Sequence, residues 1–236
     1  TIYGIIMNWD MPTYYTYHKR DGLRFKFKNS ERIQQNHSQC YQDMFVLSCA
    51  DGKTEGRYIE IGAGHPHISN NTMLLELFGW KGVGLDIRQH EIELYNEQRK
   101  NFIADGDATK VDYVELLQET ELDYPTFDYL QVDCDPPRVS FNALKKIPHD
   151  KYKFATITFE HDKYTSEDGE LVQTESREFL TNLGYVLVVD DISVDDSHPF
   201  EDWWAHPDLV SSSIIDKMKC ITGETKKAED YMLGRF

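Results

Sequence analysis

Two glycines and one acidic residue stand close together in the segment Tyr58-Ile59-Glu60-Ile61-Gly62-Ala63-Gly64. A β-rich run precedes the first glycine and a helical pattern follows it. This order predicts a strand-to-helix turn at the carboxyl edge of an α/β sheet, where such sheets bind ligands. Glycine in this turn lets the backbone approach a cofactor closely, although any tight turn can require glycine. Glu60 favours a cationic cofactor, and the third glycine of a dinucleotide-binding loop, expected near His67 or Ile68, is missing.

Further acids follow the next two predicted strands. Asp86 ends Gly82-Val83-Gly84-Leu85-Asp86 and lies 22 positions after Gly64, where a carboxylate can accept hydrogen bonds from both hydroxyls of a ribose. Asp107 follows the third strand and is preferred over Asp105 as an acceptor for an adenine amino group. A single such acid can be a helix cap or a loop residue. Acids at three successive strand ends are best explained by S-adenosylmethionine (SAM).

The predicted cofactor-binding residues belong to the glycine turn and to the two later strand ends: Glu60, Gly62, Ala63, Gly64, Asp86, Ile87, Asp107 and Ala108.

The elements that must position these residues alternate along the chain from residue 57. Apolar, β-rich runs predict strands at 57–61, 82–87, 101–104, 127–132, 154–159 and 185–189. Apolar residues at three- and four-residue spacing predict helices at 71–78, 91–99, 111–117, 139–147 and 174–183. Nearly continuous apolar strands are typical of a sheet covered on both faces. The predicted fold class is therefore α/β, with a doubly wound, mostly parallel Rossmann-like methyltransferase sheet.

Two stretches do not follow this alternation. Residues 1–56 are predicted to form an N-terminal extension, a hairpin turning at Asp21-Gly22 followed by a helix, packed on a SAM-binding domain of residues 57–236. Residues 200–204 predict either a final edge strand or a loop over the site. Trp203-Trp204 within this stretch either stack on an acceptor or pack in the core.

Composition restricts the partners of the chain. With 25 basic and 41 acidic residues, its formal net charge is -16. This charge would repel a phosphate backbone, so no nucleic-acid partner is expected. The basic stretch that begins at His18-Lys19-Arg20 is interpreted as the solvated edge of the hairpin. Four scattered cysteines indicate a reducing compartment, and no apolar run is long enough to span a bilayer. We therefore expect a cytoplasmic protein with no membrane partner.

Residues after the fourth and fifth predicted strands are candidates for the acceptor side. Asp133 follows the fourth strand and Glu160-His161-Asp162 follow the fifth, about 5 Å apart across a parallel pair. His161 is a candidate general base because histidine titrates near neutral pH, and Asp133 is expected to face the acceptor with it. Asp133, Glu160 and Asp162 are also candidate ligands of Mg²⁺, which would acidify an acceptor hydroxyl. The alternatives are a loop histidine and a structural strand-end acid.

Several segments resemble those of the FkbM-type class I methyltransferases. The most specific is Gly79-Trp80-Lys81-Gly82, and upstream Ser38-Gln39-Cys40-Tyr41-Gln42-Asp43 is similar to the Ser-Gln-x-x-Gln-Asp element of that family. The resemblance covers about residues 38–189 and implies SAM-dependent transfer of a methyl group to a hydroxyl of a sugar or natural product. Asp133-Cys134-Asp135-Pro136-Pro137 departs from the Asp-x-Glu-Gly of many relatives, so their substrate contacts are not transferred here. Asp86 stands where Glu is common.

The sequence thus predicts a SAM-dependent methyltransferase that acts on a hydroxyl of a sugar, a glycoside or another small-molecule acceptor. N-methylation stays an alternative. An NAD-dependent oxidoreductase is a second one, because NAD also places a ribose on Asp86. A third alternative is a non-catalytic interaction module on the same fold.

Overall fold

A computed structural model describes residues 22–235 of the chain. Within this range eight strands form one sheet: β1 (Arg57–Ile61), β2 (Lys81–Asp86), β3 (Phe102–Asp105), β4 (Thr126–Val132), β5 (Lys153–Glu160), β6 (Val186–Ser193), β7 (Glu201–Ala205) and β8 (Lys226–Lys227). The α-helices of the same range are α1 (Gln42–Cys49), α2 (Met73–Leu77), α3 (Gln89–Gln98), α4 (Tyr113–Glu119), α5 (Pro137–Lys146), α6 (Glu167–Asn182), α7 (Ser212–Met218) and α8 (Ala228–Leu233).

The strands run in the order β3-β2-β1-β4-β5-β7-β6-β8. The first five strands of the chain pair in parallel, and β7 is antiparallel to both of its neighbours. The order in which successive strands are added to the sheet reverses between the neighbours β1 and β4. This reversal places a crevice at the carboxyl ends of these two parallel strands. The predicted α/β fold with a doubly wound, mostly parallel Rossmann-like sheet is confirmed.

Two hydrophobic cores lie on opposite faces of the sheet. One contains Tyr58 of β1 together with side chains of α1 and α8, and the other contains the neighbouring Ile59 together with side chains of α4, α5 and α6. This division follows from the alternation of side chains along a strand. It also explains why the strands read as continuous apolar runs, since both faces are covered.

All six predicted strands are confirmed, and most helix ends agree with the predicted ends to within about two residues. Asp112 caps α4, since its carboxylate accepts hydrogen bonds from the N–H groups of Val114 and Glu115. Helix α6 begins seven residues before its predicted start at residue 174. Ser166 explains this earlier start, because its hydroxyl caps the helix by accepting from the N–H of Gly169.

The segment at residues 200–204 is neither an edge strand nor a loop. It forms β7, which lies between β5 and β6, and the side chains of Trp203 and Trp204 are buried in the cores of opposite faces. The chain returns to insert β7 between two strands that precede it in the sequence. Local sequence patterns cannot predict such a position. Stacking of these tryptophans on an acceptor is excluded by their burial.

Described residues before β1 contribute to the core on the face of Tyr58. Leu23, Phe25 and Phe27 are buried although they form no strand, and the N–H of Arg24 donates to the carbonyl of Met232. Every residue of α1 is buried. The first arm of the predicted hairpin lies outside the described residues. No helix of the described part is both long and apolar enough to cross a bilayer.

Candidate functional site

The glycine turn after β1 has two residues in the left-handed region. Gly62 has φ 75° and Gly64 has φ 63°. A Cβ on Gly62 would lie 1.6 Å from the carbonyl oxygen of Asp133, so the close approach of β1 and β4 requires glycine there. A Cβ on Gly64 would lie 3.1 Å from the guanidinium of Arg88. The first glycine therefore closes the sheet edge, and the second opens onto the space that Arg88 occupies.

Asp86 holds the glycine turn from the end of β2. Its Oδ2 accepts a hydrogen bond from the N–H of Gly64 at 2.9 Å, and its Oδ1 accepts from the N–H groups of Ile87 and Arg88, both at 2.8 Å. Arg88 also forms an ion pair with this carboxylate. These partners outweigh burial and hold the pKa of Asp86 below its usual value. A lowered pKa favours the ionised form of Asp86 next to the turn, and its contact with a ribose stays a prediction.

Glu60 lies beneath the same turn and is buried. Its carboxylate accepts hydrogen bonds from side chains of the loop and helices that follow: Thr72 at 2.7 Å, Tyr95 at 3.2 Å and Asn70 at 3.3 Å. The Asn70 amide also donates to the carbonyl of Ala63, so it connects Glu60 to the turn. Burial raises the pKa of Glu60 to about 7. Glu60 supports the shape of the turn, and its contact with a cofactor stays a prediction.

Asp107 occupies a more open position after β3. Its carboxylate accepts from the N–H and hydroxyl of Thr109 and pairs with Lys110, and these partners lower its pKa to about 2. Backbone contacts join this loop to the β2 end, because the N–H of Gly106 donates to the carbonyl of Asp86 at 3.0 Å.

The strand ends that carry the predicted acids meet at the glycine turn. After β3, the N–H of Gly106 donates to the carbonyl of Asp86 at 3.0 Å, and after β4 the N–H of Asp133 donates to the carbonyl of Ile61 at 3.0 Å. Burial and the nearby carboxylates, that of Asp133 first among them, raise the pKa of the Cys134 thiol to about 12. A nucleoside site at these strand ends stays a prediction.

The predicted acceptor-side acids lie at adjoining strand ends. Asp133 and Glu160 follow the paired residues Val132 and Phe159 of the neighbouring strands β4 and β5. Burial raises the pKa of Asp133 to about 7 and that of Asp162 to about 6, while that of Glu160 is raised well above its usual range. Each raised pKa favours the neutral form of its carboxyl group, because burial and the neighbouring acids penalise a negative charge.

The sequence predicted that His161 faces the acceptor together with Asp133, but the two side chains lie on opposite faces of the sheet. Consecutive strand residues point to opposite faces, and His161 is fully buried on the α6 face. Its Nδ1 accepts from the N–H of Lys163 at 3.2 Å, while its Nε2 lies 3.1 Å from the Gln173 amide and 3.5 Å from Asp202. Both ring nitrogens thus have protein partners, and an acceptor at the rim would not reach them in this arrangement.

The predicted Mg²⁺ ligands also differ from the side chains that converge most closely. Among the described residues, ligand atoms lie within 4.8 Å of one another at His161, Asp191 and Asp202. Lys163 and Arg177 already pair with these two carboxylates, which supplies positive charge without a metal. The carboxylates of Asp133, Glu160 and Asp162 do not lie within that distance of one another, so the structure gives no support for a Mg²⁺ ion at the predicted ligands.

Sequence reasoning missed two side chains that border the site. Arg88 lies two positions after Asp86 and was not considered, although its proximity to a strand-end acid was visible in the sequence. Gln131 is buried on the face of Glu60 and Asp133, and its Oε1 has no hydrogen-bond partner among the described residues. An unsatisfied buried acceptor at a strand end is unusual and suggests a ligand donor.

Cavities of about 430, 720 and 270 Å³ lie away from this rim. They border α2 and residues 32–37, the outer side of β3, and the start of α7, respectively. None of the three includes Gly62, Asp86 or Asp107. At the rim itself, the Arg88 guanidinium lies close to Gly64.

The buried acids predict that the protein is more stable at pH 5–6 than at pH 9. Glu201, which accepts hydrogen bonds from Trp203 and Gln42, has a pKa raised to about 8 by burial. A raised pKa contributes stability that is full below the unfolded value and is lost as the pH rises through about 8. Glu201→Gln should remove roughly 2–4 kcal/mol of the difference in unfolding free energy between pH 5 and pH 9.

Thermal and denaturant unfolding across pH 5–9 measures this effect. The exposed Glu119→Gln is the matched control and should leave the profile unchanged. Asp202 has the opposite effect on stability, because His161 and Arg177 strongly lower its pKa against the effect of burial. The stability that Asp202 contributes is lost below about pH 4, and this loss sets the acid limit of the folded protein. A pH profile of Glu201→Gln that matched the wild type would contradict the prediction.

No protein-family model matches the chain, and no curated protein matches it in sequence. Similar solved structures include a TehB-like SAM-dependent methyltransferase from Corynebacterium glutamicum, 13% identical over 70% of this chain and 88% of that chain, with a TM-score of 0.44. An O-methyltransferase from Bacillus cereus in complex with SAH is 14% identical over 70% and 79%, with a TM-score of 0.46. A candidate O-methyltransferase from Klebsiella pneumoniae is 13% identical over 70% and 79%, with a TM-score of 0.49. At these identities the similarity concerns the fold alone, so function is argued from the site.

Proposed function

We propose that this chain is a SAM-dependent methyltransferase whose cofactor site is the glycine turn and the strand ends around it. The observation that carries the proposal is the position of Asp86, Asp107 and Asp133, which lie at or just after the adjoining ends of β2, β3 and β4, around the glycine turn where the strand order reverses. Open α/β sheets bind nucleosides at this point. Residues 57–236 would form the cofactor-binding domain, and residues 1–56 an extension packed on it.

The residues present fit SAM. Asp86 is ionised and lies on the glycine turn, where it would accept hydrogen bonds from a ribose. Asp107 and Ala108 would hold the adenine. The unpartnered Oε1 of Gln131 is an acceptor for the ammonium group. When bound, SAM supplies an activated methyl group on a positively charged sulfur, which an acidic rim suits.

Asp133 is the group we assign to the acceptor proton. Its pKa of about 7 makes it partly ionised at neutral pH, close to the optimum for a general base. Glu160 lies at the adjoining end of β5 and would fix the direction of the Asp133 carboxylate by donating a hydrogen bond to it. A hydroxyl acceptor would transfer its proton to Asp133, and Glu160 would stay protonated. The resemblance to FkbM-type enzymes favours a hydroxyl of a sugar or another small molecule, and an amine is the alternative acceptor.

Titration calorimetry with SAM tests the cofactor site directly. Asp86→Asn keeps the shape of the side chain but removes its charge, so it should weaken SAM binding about 10- to 100-fold, the loss expected for charge-assisted hydrogen bonds. Asp105→Asn is the matched control, because Asp105 pairs with Asp86 across β2 and β3 but is exposed. We expect its affinity to equal that of the wild type.

Two outcomes would reject the proposal. A folded wild-type protein that binds no SAM would remove the cofactor from the site. Quenching of NADH fluorescence without SAM binding would instead favour the oxidoreductase alternative, since NAD also requires an acid at Asp86.

A further inference from the structure

Arg88 covers the carboxylate that the proposed function assigns to the ribose. Its Nε donates to Oδ1 of Asp86 at 3.1 Å and its Nη2 donates to Oδ2 at 2.9 Å. The same Nη2 lies 3.1 Å from the position of a Cβ on Gly64. Its side chain is 59% exposed, so water reaches the outer side of the pair. Arg88 thus fills the space that a ligand on the glycine turn needs.

The two oxygens of Asp86 have little capacity left while Arg88 is in place. Oδ1 also accepts from the backbone of Ile87 and Arg88, and Oδ2 also accepts from the backbone of Gly64. These backbone donors belong to the turn and cannot leave without unfolding it. The guanidinium sits on a flexible side chain, and a partly exposed ion pair contributes little to stability. Arg88 is therefore the partner of Asp86 that a ribose would displace.

The charge at the rim indicates where the displaced guanidinium goes. Asp86, Asp107 and Asp133 are all acidic, and Lys110, which pairs with Asp107, is 80% exposed on the outer side of its loop. SAM also carries a carboxylate on its methionyl group, which this acidic rim would repel without a compensating cation. The charge of Asp133 already acts on Arg88 beside the turn. A guanidinium binds a carboxylate through two parallel hydrogen bonds.

We propose that Arg88 is a positioning residue with two partners, Asp86 before cofactor binding and the methionyl carboxylate of SAM afterwards. This inference rests on the proposed function. It predicts that Arg88 distinguishes ligands that carry the amino-acid group from ligands that carry only the nucleoside. When it pairs with Asp86, Arg88 covers the glycine turn. When it pairs with the methionyl carboxylate, it completes the cofactor site.

Calorimetry with SAM, S-adenosylhomocysteine and 5′-methylthioadenosine on the full chain tests this selectivity. Methylthioadenosine keeps the nucleoside and the sulfur but lacks the amino-acid group. Arg88→Met should weaken binding of the first two ligands roughly 10- to 100-fold, the loss expected for a charged hydrogen-bonded pair. Binding of methylthioadenosine should stay equal or become tighter, because Asp86 is released. Arg88→Lys should recover part of the lost affinity but not the two-point contact.

Lys110→Met is the control, because it removes another exposed cation that pairs with an acid of the rim. It should affect the three ligands equally. If Arg88→Met changes all three affinities by the same factor, or changes none, the inference is overturned while the cofactor proposal stands. If the folded wild type binds neither SAM nor methylthioadenosine, the proposed function itself fails, and this inference fails with it.

Discussion

Gly62→Ala is expected to destabilise the protein by about 3 kcal/mol or more and to abolish high-affinity SAM binding. Two costs add at this position. The left-handed conformation costs a non-glycine residue about 1–2 kcal/mol, and the new Cβ would lie 1.6 Å from the carbonyl oxygen of Asp133. Since this neighbour is backbone, β1 and β4 must separate at their ends. The strand ends that carry Asp86 and Asp133 would then no longer share one rim.

Gly223→Ala separates the two costs. Gly223 has φ 73°, close to that of Gly62, but a Cβ there would meet no atom within 4 Å. It should therefore show the conformational cost alone. For a chain of this length 1 kcal/mol corresponds to roughly 2–4 °C in the unfolding midpoint, so thermal unfolding resolves the two variants. Equal midpoints would show that the contact with Asp133 is relieved at no cost.

Asp202→Asn is expected to cost about 3 kcal/mol of unfolding free energy at neutral pH. Asp202 is fully buried and accepts two hydrogen bonds from Arg177, at 2.7 and 2.9 Å, and one from the N–H of Asp191 at 3.0 Å. Removing one partner of a buried ion pair leaves the other charge uncompensated, which typically costs 3–5 kcal/mol. Arg177 is partly exposed and also lies 3.5 Å from Asp191, so the lower end of that range applies.

Asp168→Asn provides the comparison at the surface. Asp168 also pairs with an arginine, Arg138, but both side chains are substantially exposed. Removing such a pair should cost less than about 1 kcal/mol. Urea unfolding at pH 7 measures both variants. A small effect at Asp202 would mean that water or Asp191 compensates Arg177, and that the group around His161 does not hold β5, β6 and α6 together.

The alternation of strands and helices along the chain was the predictable part of the fold. The strands from β1 to β6 and the helices between them followed from hydrophobic spacing, and the capping roles of Asp112 and Ser166 are local effects. The order of the strands was not contained in these patterns. Insertion of β7 between β5 and β6 depends on a chain return over a long distance, which no local propensity encodes.

The candidate site likewise has a part that the sequence predicted and a part that it did not. The convergence of Asp86, Asp107 and Asp133 was predictable, because carboxyl ends of parallel strands meet at one edge. The separation of His161 from Asp133 follows from the alternation of side chains along a strand, because Glu160 and His161 are consecutive residues. The partners of these groups were not predictable: Arg88 on Asp86, Asn70 on Glu60, and the raised pKa of Asp133.

Residue type and spacing alone therefore specify a parallel sheet with acids and glycines at its carboxyl edge, since both depend on neighbours within a few residues. Tertiary structure decides the charge state of each acid. The pKa of Asp86 is lowered by backbone N–H groups and an arginine, whereas that of Glu160 is raised by burial and neighbouring carboxyl groups. These surroundings come from strands far apart in the chain, and a carboxyl group responds to them through its pKa.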